Sequence, residues 1–437
     1  VTRNTLIRQA ILLGLLPAMQ SIAIAGSWNG ESSLTSSLRY NNNPQLKTEI
    51  EDPLPSTITL LIAEVEFEKL EPAYNITVTP KIQVRRYRED AYSTNDGEDY
   101  FLRAGYARTH KRASLGLNAD YDYQNILTVE DELEGSGIID APNDNRKRFG
   151  ISPSFAWSPS QKDSMNAAVS IYKIEHDLKF SNRADSEGIS GLISYERAIS
   201  HRQKIGLSAN VYKSDSENFR KLCLTGLDPD GNCDPNLETS LTEVNADGVG
   251  LSATYSFAMS ERTRINANFG RQTSESESTR TSLDFPDAPE LNFNQKLTFT
   301  SNQYRLSITS SGERSEWEIT ALRNVSPSSN GYPSDKQQID SQFSYRIASN
   351  VTAILKLQAY RQKRVNQFRV QENEFLRGDL TVSWRYARNW TLVGLYIYRH
   401  HDPTLSVDDP AALPPSELEN LVRKAQTVGL SLRYQFK

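Results

Sequence analysis

The stretch 425-AQTVGLSLRYQFK-437 decides the fold. Val428, Leu430, Leu432, Tyr434 and Phe436 fall on one side of a period-2 pattern, and Thr427, Gly429, Ser431, Arg433 and Gln435 fall on the other. Side chains of a strand alternate between its two faces, so this is a strand with one greasy and one polar face. The pattern recurs along the chain roughly eighteen times. Every such strand needs a partner for its apolar face, and a closed barrel in lipid supplies one without a second sheet.

The rest of the composition agrees. The chain has 437 residues, of which 37% are hydrophobic, too few for a soluble core of that size. Beyond the first residues it has no apolar run of the ~20 residues that a transmembrane helix needs. There are 20 Tyr and 15 Phe against 3 Met, and the formal charge of −5 gives no reason to expect a nucleic-acid partner. Residues 1–25 read as a secretory signal peptide. Arg3 and Arg8 form a basic start, Ile11 to Met19 is a short apolar run, and Ala23-Ile24-Ala25 offers a cleavage site before Gly26. Residues 26–437 are then the mature barrel. In an exported protein the two cysteines, Cys223 and Cys233, are expected to form a disulfide that closes a polar loop. A metal site would want more ligands, and the spacing is too wide for a CxxC redox pair.

Further strands follow the same alternation. In Asn75 to Arg88, Ile76, Val78, Ile82 and Val84 share one face, and Thr77, Thr79, Lys81, Gln83 and Arg85 the other. Pro80 interrupts this strand, where a bulge or a strained spot is expected because proline removes a ladder bond. Leu115, Leu117, Ala119, Tyr121 and Tyr123 alternate with Gly116, Asn118, Asp120 and Asp122. Connections alternate in length: 107–111, 158–163, 200–202, 258–262, 348–350 and 387–389 are short, whereas 128–146, 214–245, 273–298 and 400–424 are long and rich in Asp, Glu, Ser, Asn and Pro. One short-turned and one long-looped end is the asymmetry of an outer-membrane barrel. Tyr106, Trp157, Tyr195, Phe257, Tyr345, Tyr386 and Phe436 sit beside the short turns. Their repeated position reads as a girdle at the lipid–water boundary, although Tyr and Phe favour strands in any case. The fold class is therefore an all-β transmembrane antiparallel β-barrel of about 18 strands, with 16 as the alternative because Ser32–Tyr40 and Thr57–Lys69 alternate most weakly. The location that follows is the outer membrane of a Gram-negative bacterium, with both ends of the barrel at its periplasmic side.

The polar parity assigns the inner wall. Its basic candidates are Lys81, Arg85, Arg103, Lys204, Arg264, Arg305, Arg346, Lys356, Arg385 and Arg433; its acidic ones are Glu64, Glu66, Asp120, Asp122, Glu316 and Glu318. The excess of bases points to a wet lumen modestly suited to anions. Tyr172 and Tyr212 also point inward. No enzyme is expected, because nucleophilic catalysis needs a base beside the nucleophile. The five histidines, His110, His176, His201, His400 and His401, read as solvated turn, strand-end and loop residues. His400-His401-Asp402 could hold a metal only weakly. The acidic run 130–134 lacks EF-hand spacing. No cofactor or catalytic residue is assigned.

The end of the chain resembles outer-membrane barrels whose last strand closes on an aromatic read by the insertion machinery. Here that residue is Phe436, with Lys437 one position beyond it. The hairpin phrases YARTHKRASLGLNADYDY and YERAISHRQKIGLSANVY resemble the β-barrel porins associated with exopolysaccharide and capsule export, including the exosortase-associated type. The resemblance runs from about Thr57 to Phe436. It implies a channel for polysaccharide or its fragments, with outer-membrane lipid and lipopolysaccharide, the barrel assembly machinery and polysaccharide-export components as partners. Two other functions fit the residues: a structural or adhesive barrel with a plugged lumen, and a lipid- or polysaccharide-modifying enzyme.

Overall fold

A computed structural model shows one closed antiparallel sheet of eighteen strands. It describes residues 28–44, 46–47, 53–126, 144–178, 184–223, 237–282, 293–327, 333–365, 370–406 and 422–436. The strands are β1 (Trp28–Asn41), β2 (Ser56–Glu71), β3 (Tyr74–Tyr87), β4 (Gly97–His110), β5 (Ala113–Asn125), β6 (Asn145–Trp157), β7 (Asp163–His176), β8 (Asp185–Ala198) and β9 (Gln203–Cys223). The second half comprises β10 (Leu237–Ala258), β11 (Thr263–Ser282), β12 (Phe293–Ser311), β13 (Ser315–Pro327), β14 (Pro333–Ala348), β15 (Val351–Val365), β16 (Val370–Arg385), β17 (Trp390–Ser406) and β18 (Arg423–Phe436). Each strand pairs with its neighbour in sequence. The seam closes where β1 meets β18, from Ser32 opposite Phe436 to Asn41 opposite Thr427. Closure removes both sheet edges, as hydrocarbon requires. No described helix is long and apolar enough to cross a membrane, and the crossing is made by strands.

The two faces separate by chemistry. Leu207, Leu251, Phe269 and Leu430 are more than half exposed on the outside, where lipid solvates them. The face opposite carries Ser, Thr, Asn, Gln and charged groups. At the short-turn end the outer face is aromatic. Trp157, Tyr195, Tyr345 and Tyr386 are exposed there, and Tyr434 packs tilted against Trp390 and edge-on against Phe436, with ring centroids 4.7 and 4.6 Å apart. Tyr195 donates its hydroxyl to Asp163 at 2.7 Å, so the ring lies in lipid and its polar tip in water. The chain is thus an outer-membrane β-barrel.

The strands outrun the readable alternation. β9 to β12 have 21, 22, 20 and 19 residues, about twice the ~10 needed to cross a bilayer. The loops expected at 214–245 and 273–298 are largely strand, because segments such as 273-TSESESTRTS-282 are polar on both faces. Above the membrane water replaces lipid, the apolar face disappears, and with it the pattern that betrays a strand. For the same reason His400, His401 and Asp402 lie within β17 instead of a loop. At Pro80 the expected bulge is absent. The β2–β3 ladder lacks only the pairs around Pro80 and resumes in the same register, from Glu64 opposite Lys81 to Phe67 opposite Val78. Pro153 leaves an equivalent gap between Ile151 and Ser154 in the β6–β7 ladder. A long ladder tolerates one missing donor without shifting.

The expected disulfide finds no support. Cys233 lies outside the described residues, and of Cys223 only the backbone, at the end of β9, is described. Residues 1–25 and the acidic run 130–134 lie outside them as well.

Candidate functional site

Strand parity brings the inner wall together from distant parts of the sequence. The ladders put Lys81, Arg85, Arg103, Asp120, Asp122, Lys204, Arg264, Arg305, Glu316, Glu318, Arg346, Lys356, Arg385 and Arg433 on the face opposite the exposed leucines. They are spread around the whole circumference. Lys204, Arg264, Glu316, Arg346, Arg385 and Arg433 lie near the short turns. Only Arg103, Asp120 and Asp122 gather in one place, with Lys81 beside them.

That place is a hollow of about 640 Å³ on the inner side of β3 to β6. Lys81 stands over the ring of Phe101 at 4.2 Å, a cation–π contact with an inward aromatic. Arg103 is directly opposite Asp120. Asp120 also faces Arg148 at 3.9 Å, and Asp122 accepts from Arg146 at 3.1 Å. Gly150 makes room for this network, since a Cβ there would come within 2.5 Å of the Asp120 carboxylate. Arg146 and Arg148 escape a sequence reading because Arg146, Lys147 and Arg148 are all basic, which leaves parity ambiguous. The hollow presents both signs of charge to the lumen, with bases in excess.

The wall of β6 to β13 is different. Its hollow, about 650 Å³, is lined on the inner face by Ser170, Ser190, Asn210, Tyr212, Gln272 and Gln303 among others, and by no inward-facing charge. Tyr172 and Tyr212 lie flat over glycines of the next strand. A Cβ at Gly188 would be 2.8 Å from the Tyr172 ring, and one at Gly248 would run into that of Tyr212. Tyr212 is further tied to Ser274 by a 2.6 Å hydroxyl bond. The first hollow is therefore charged and the second neutral and hydrogen-bonding.

Burial changes along the barrel axis. Inner-face residues in the loop-end half are buried, among them Ser216, Ser240, Ser276, Asn373 and His401, whereas Arg103, Lys204, Arg264, Arg305 and Arg385 toward the turns are exposed. Part of this packing is visible in the β3–β4 connection. A 3-10 helix, Asp90–Asn95, carries Tyr92 onto the inward-facing Ile58, Leu60 and Tyr87. The Tyr92 hydroxyl donates to the Leu54 carbonyl at 2.6 Å. Glu89 accepts from the Ser56 hydroxyl and, at 3.0 Å, from the Thr57 N–H. Burial alone would raise the Glu89 pKa, but these bonds hold it below the usual glutamate value.

Near the same end, Asp99 is fully buried. It accepts from Gln83 at 3.1 Å and from the Asn125 N–H at 2.8 Å, and it faces Arg85 at 3.6 Å. Asp379 holds Arg377 with two bonds of 2.8 and 2.9 Å. Arg377 stands directly opposite Arg399 on β17. Asp379→Ala would leave two buried guanidiniums facing each other. We expect it to destabilise the barrel by roughly 3 kcal/mol, read as a lowered urea midpoint in reversible refolding into micelles. Asp379→Asn, which retains one acceptor, should lose less. An unchanged midpoint for Asp379→Ala would show that the pair does not hold the wall.

His176 bonds Asp144 at 2.8 Å and not a serine. His400 and His401 point to opposite faces of β17. Among the described residues no three His, Cys, Asp or Glu side chains gather to hold a metal.

No protein-family model matches the chain, and no curated protein does. Among solved structures it is similar to the ferric-catecholate import receptor Fiu of E. coli K12, with 7% identity over 93% of this chain and 82% of that one and a TM-score of 0.49. It is similar also to BauA, the ferric preacinetobactin receptor of Acinetobacter baumannii, at 11% identity, 93% and 80% coverage and TM-score 0.46. The copper transporter OprC gives 9%, 94%, 81% and 0.44. Likeness of this degree carries no ligand across. The resemblance to the exopolysaccharide-associated porins is corrected, since no family model and no curated protein of that type matches, and with it the porin class, polysaccharide transport and polysaccharide-export partners. Phrases such as YARTHKRASLGLNADYDY describe any strand–turn–strand unit that alternates lipid-facing and water-facing residues, so they mark a transmembrane hairpin and not one family.

Proposed function

We propose that this barrel passes a small hydrophilic solute across the outer membrane, through a lumen that is wide at the periplasmic end and narrowed at the loop end. The observation that carries this reading is the inner wall. It carries polar and charged groups around the circumference, with one charged and one neutral hollow, and its turn-end half is open to solvent. A barrel with no transport role would gain from an interior filled by apolar side chains, whereas this wall sets its buried apolar groups, such as the cluster under Tyr92 and the Tyr360–Phe375 stack, among polar and charged ones. Bases outnumber acids along the wall, which favours anions. The polar and charged side chains of the wall would bind and orient the solute.

Planar-bilayer recording of refolded protein tests this. Small, ion-carrying channels are expected, with anions more permeant than cations at low salt. Conductance no higher than that of bare lipid, from protein that migrates as a folded barrel on an unheated gel, would overturn the proposal in favour of a closed structural barrel.

A further inference from the structure

The wall of β7 to β11 repeats one unit. Tyr172 on β7 stands opposite Gly188 on β8, which stands opposite Ser214 on β9. Tyr212 on β9 stands opposite Gly248 on β10, which stands opposite Ser274 on β11. In each unit the ring crosses the glycine and its hydroxyl bonds the serine two strands away, at 2.6 Å for Tyr212. Each ring is thus pinned at both ends and held flat. One face lies on the glycine backbone, and the other is turned to the neutral hollow of about 650 Å³. The bland role of such a ring is to cover a glycine that would otherwise weaken its strand. That role asks nothing of the neighbouring side chains.

The neighbours are what point to a ligand. Asn210, two residues from Tyr212 on the same face, lies over Gly250 in the same manner. Asn210, Asn268 and Gln303 all line the hollow and are half-buried. Among the described residues the side chains of these three make no hydrogen bond. An amide carries two donors and an acceptor oxygen, so neutral donors and acceptors stand unused beside two ring faces. The serines nearby are committed to one another: Ser208 bonds Ser252 at 2.6 Å, and Ser152 bonds Ser170 at 3.1 Å. Inward charge stands at the edges of the hollow, as Arg305 opposite Asn268 and Arg148 beside Tyr172.

We infer that this hollow binds a neutral flat heterocycle with donors and acceptors along its edge, of the kind a nucleoside carries. The heterocycle would stack on the open face of Tyr212 or Tyr172, and Asn210, Asn268 and Gln303 would meet its edge. Stacking on an aromatic ring needs only the face of the base, and an amide pairs with a base edge through a donor and an acceptor at once. The two tyrosines stand two strands apart, roughly 10 Å along the sheet, so they are successive platforms for one ring and not jaws around it. At roughly 30 Å³ per small group, the volume takes about twenty non-hydrogen atoms, the size of adenosine. An ion would lose hydration against a wall that offers no opposite charge. An aliphatic solute would leave the amides unmet, and a sugar would meet the amides but has no π face for the rings. This inference names the solute class for the passage proposed above and rests on that reading only for how the ligand arrives.

Calorimetric titration of the full chain in detergent with adenosine tests it. Adenosine is expected to bind at least tenfold more tightly than either ribose, which lacks the base, or maltose, a neutral sugar of similar size. Tyr172→Leu combined with Tyr212→Leu should weaken adenosine at least tenfold. Tyr212→Phe, which keeps the ring and loses only the hydroxyl, should weaken it less than Tyr212→Leu does. Maltose or ribose bound as tightly as adenosine, or undiminished adenosine binding in the folded double variant, would each overturn the site. Should the double variant fail to fold, the three-ligand comparison on the unaltered protein still decides. Absent adenosine binding with normal conductance refutes this site and leaves the passage standing; binding without conductance refutes the passage and leaves the site.

Discussion

Replacing Arg103, Arg305 and Arg385 together with Glu is expected to turn the lumen from anion-preferring to cation-preferring. All three face inward from different parts of the circumference and are exposed to the lumen. Each swap moves the wall by two elementary charges without burying any. Wall potentials of this kind amount to several kT, enough to change local ion concentrations by about tenfold. Reversal potentials under a KCl gradient should therefore change sign in the triple variant, and the effect should shrink as salt rises past about 0.15 M, where the screening length falls below 8 Å. Arg85 is unsuited to this test. It is buried against Asp99, and a glutamate there would place two carboxylates side by side in a dry pocket. An unchanged reversal potential in the triple variant would mean that ions do not travel along this wall.

The second large effect is expected at the mouth. Tyr92→Ala should raise single-channel conductance several-fold while leaving the barrel folded. Tyr92 is 3% exposed, and truncating a buried aromatic costs roughly 3 kcal/mol. That cost falls on the β3–β4 connection, whose ties to the barrel include this packing, the Leu54 bond, the Glu89 latch and the Asp96 carboxylate on the Tyr87 N–H. A connection outside the sheet ladder opens locally before the sheet does. The Glu89 latch adds a pH dependence. The folded-state pKa of Glu89 is depressed, so the latch is fully made above the ordinary glutamate value and is lost as pH falls through the lower folded value. Acidification below the usual carboxylate range should therefore raise conductance. Glu89→Gln should show the raised level already at pH 7 and respond less to acid. Equal conductance of the original protein and Tyr92→Ala would show that this connection does not narrow the path.

The architecture was legible in the sequence because lipid imposes a rule on every crossing. A strand such as 425–437 must put Val428, Leu430 and Leu432 on one face, and that constraint is local enough to read residue by residue. Inward parity followed with it, since Thr427, Gly429, Ser431 and Arg433 can only be on the other face. The constraint ends where lipid ends. The upper half of β11, 273–282, is polar on both faces, and only pairing across the sheet shows that it is a strand.

The hollows were decided by the tertiary structure. Arg39 and Arg399 are 360 positions apart in the numbering and line one hollow where β1 closes on β18, which no local pattern announces. Arg399 was further hidden because β17 is apolar on both faces, with Leu392 and Tyr396 turned to lipid and Leu395 and Ile397 to the lumen, so its parity could not be assigned. Tyr92 lies outside every strand, and its burial depends on inward-facing Ile58 and Leu60, which break the polar rule of their own face. Alternation tells which side of a wall a residue is on. Which residues meet across the lumen depends on closure and register, and those are properties of the whole ring.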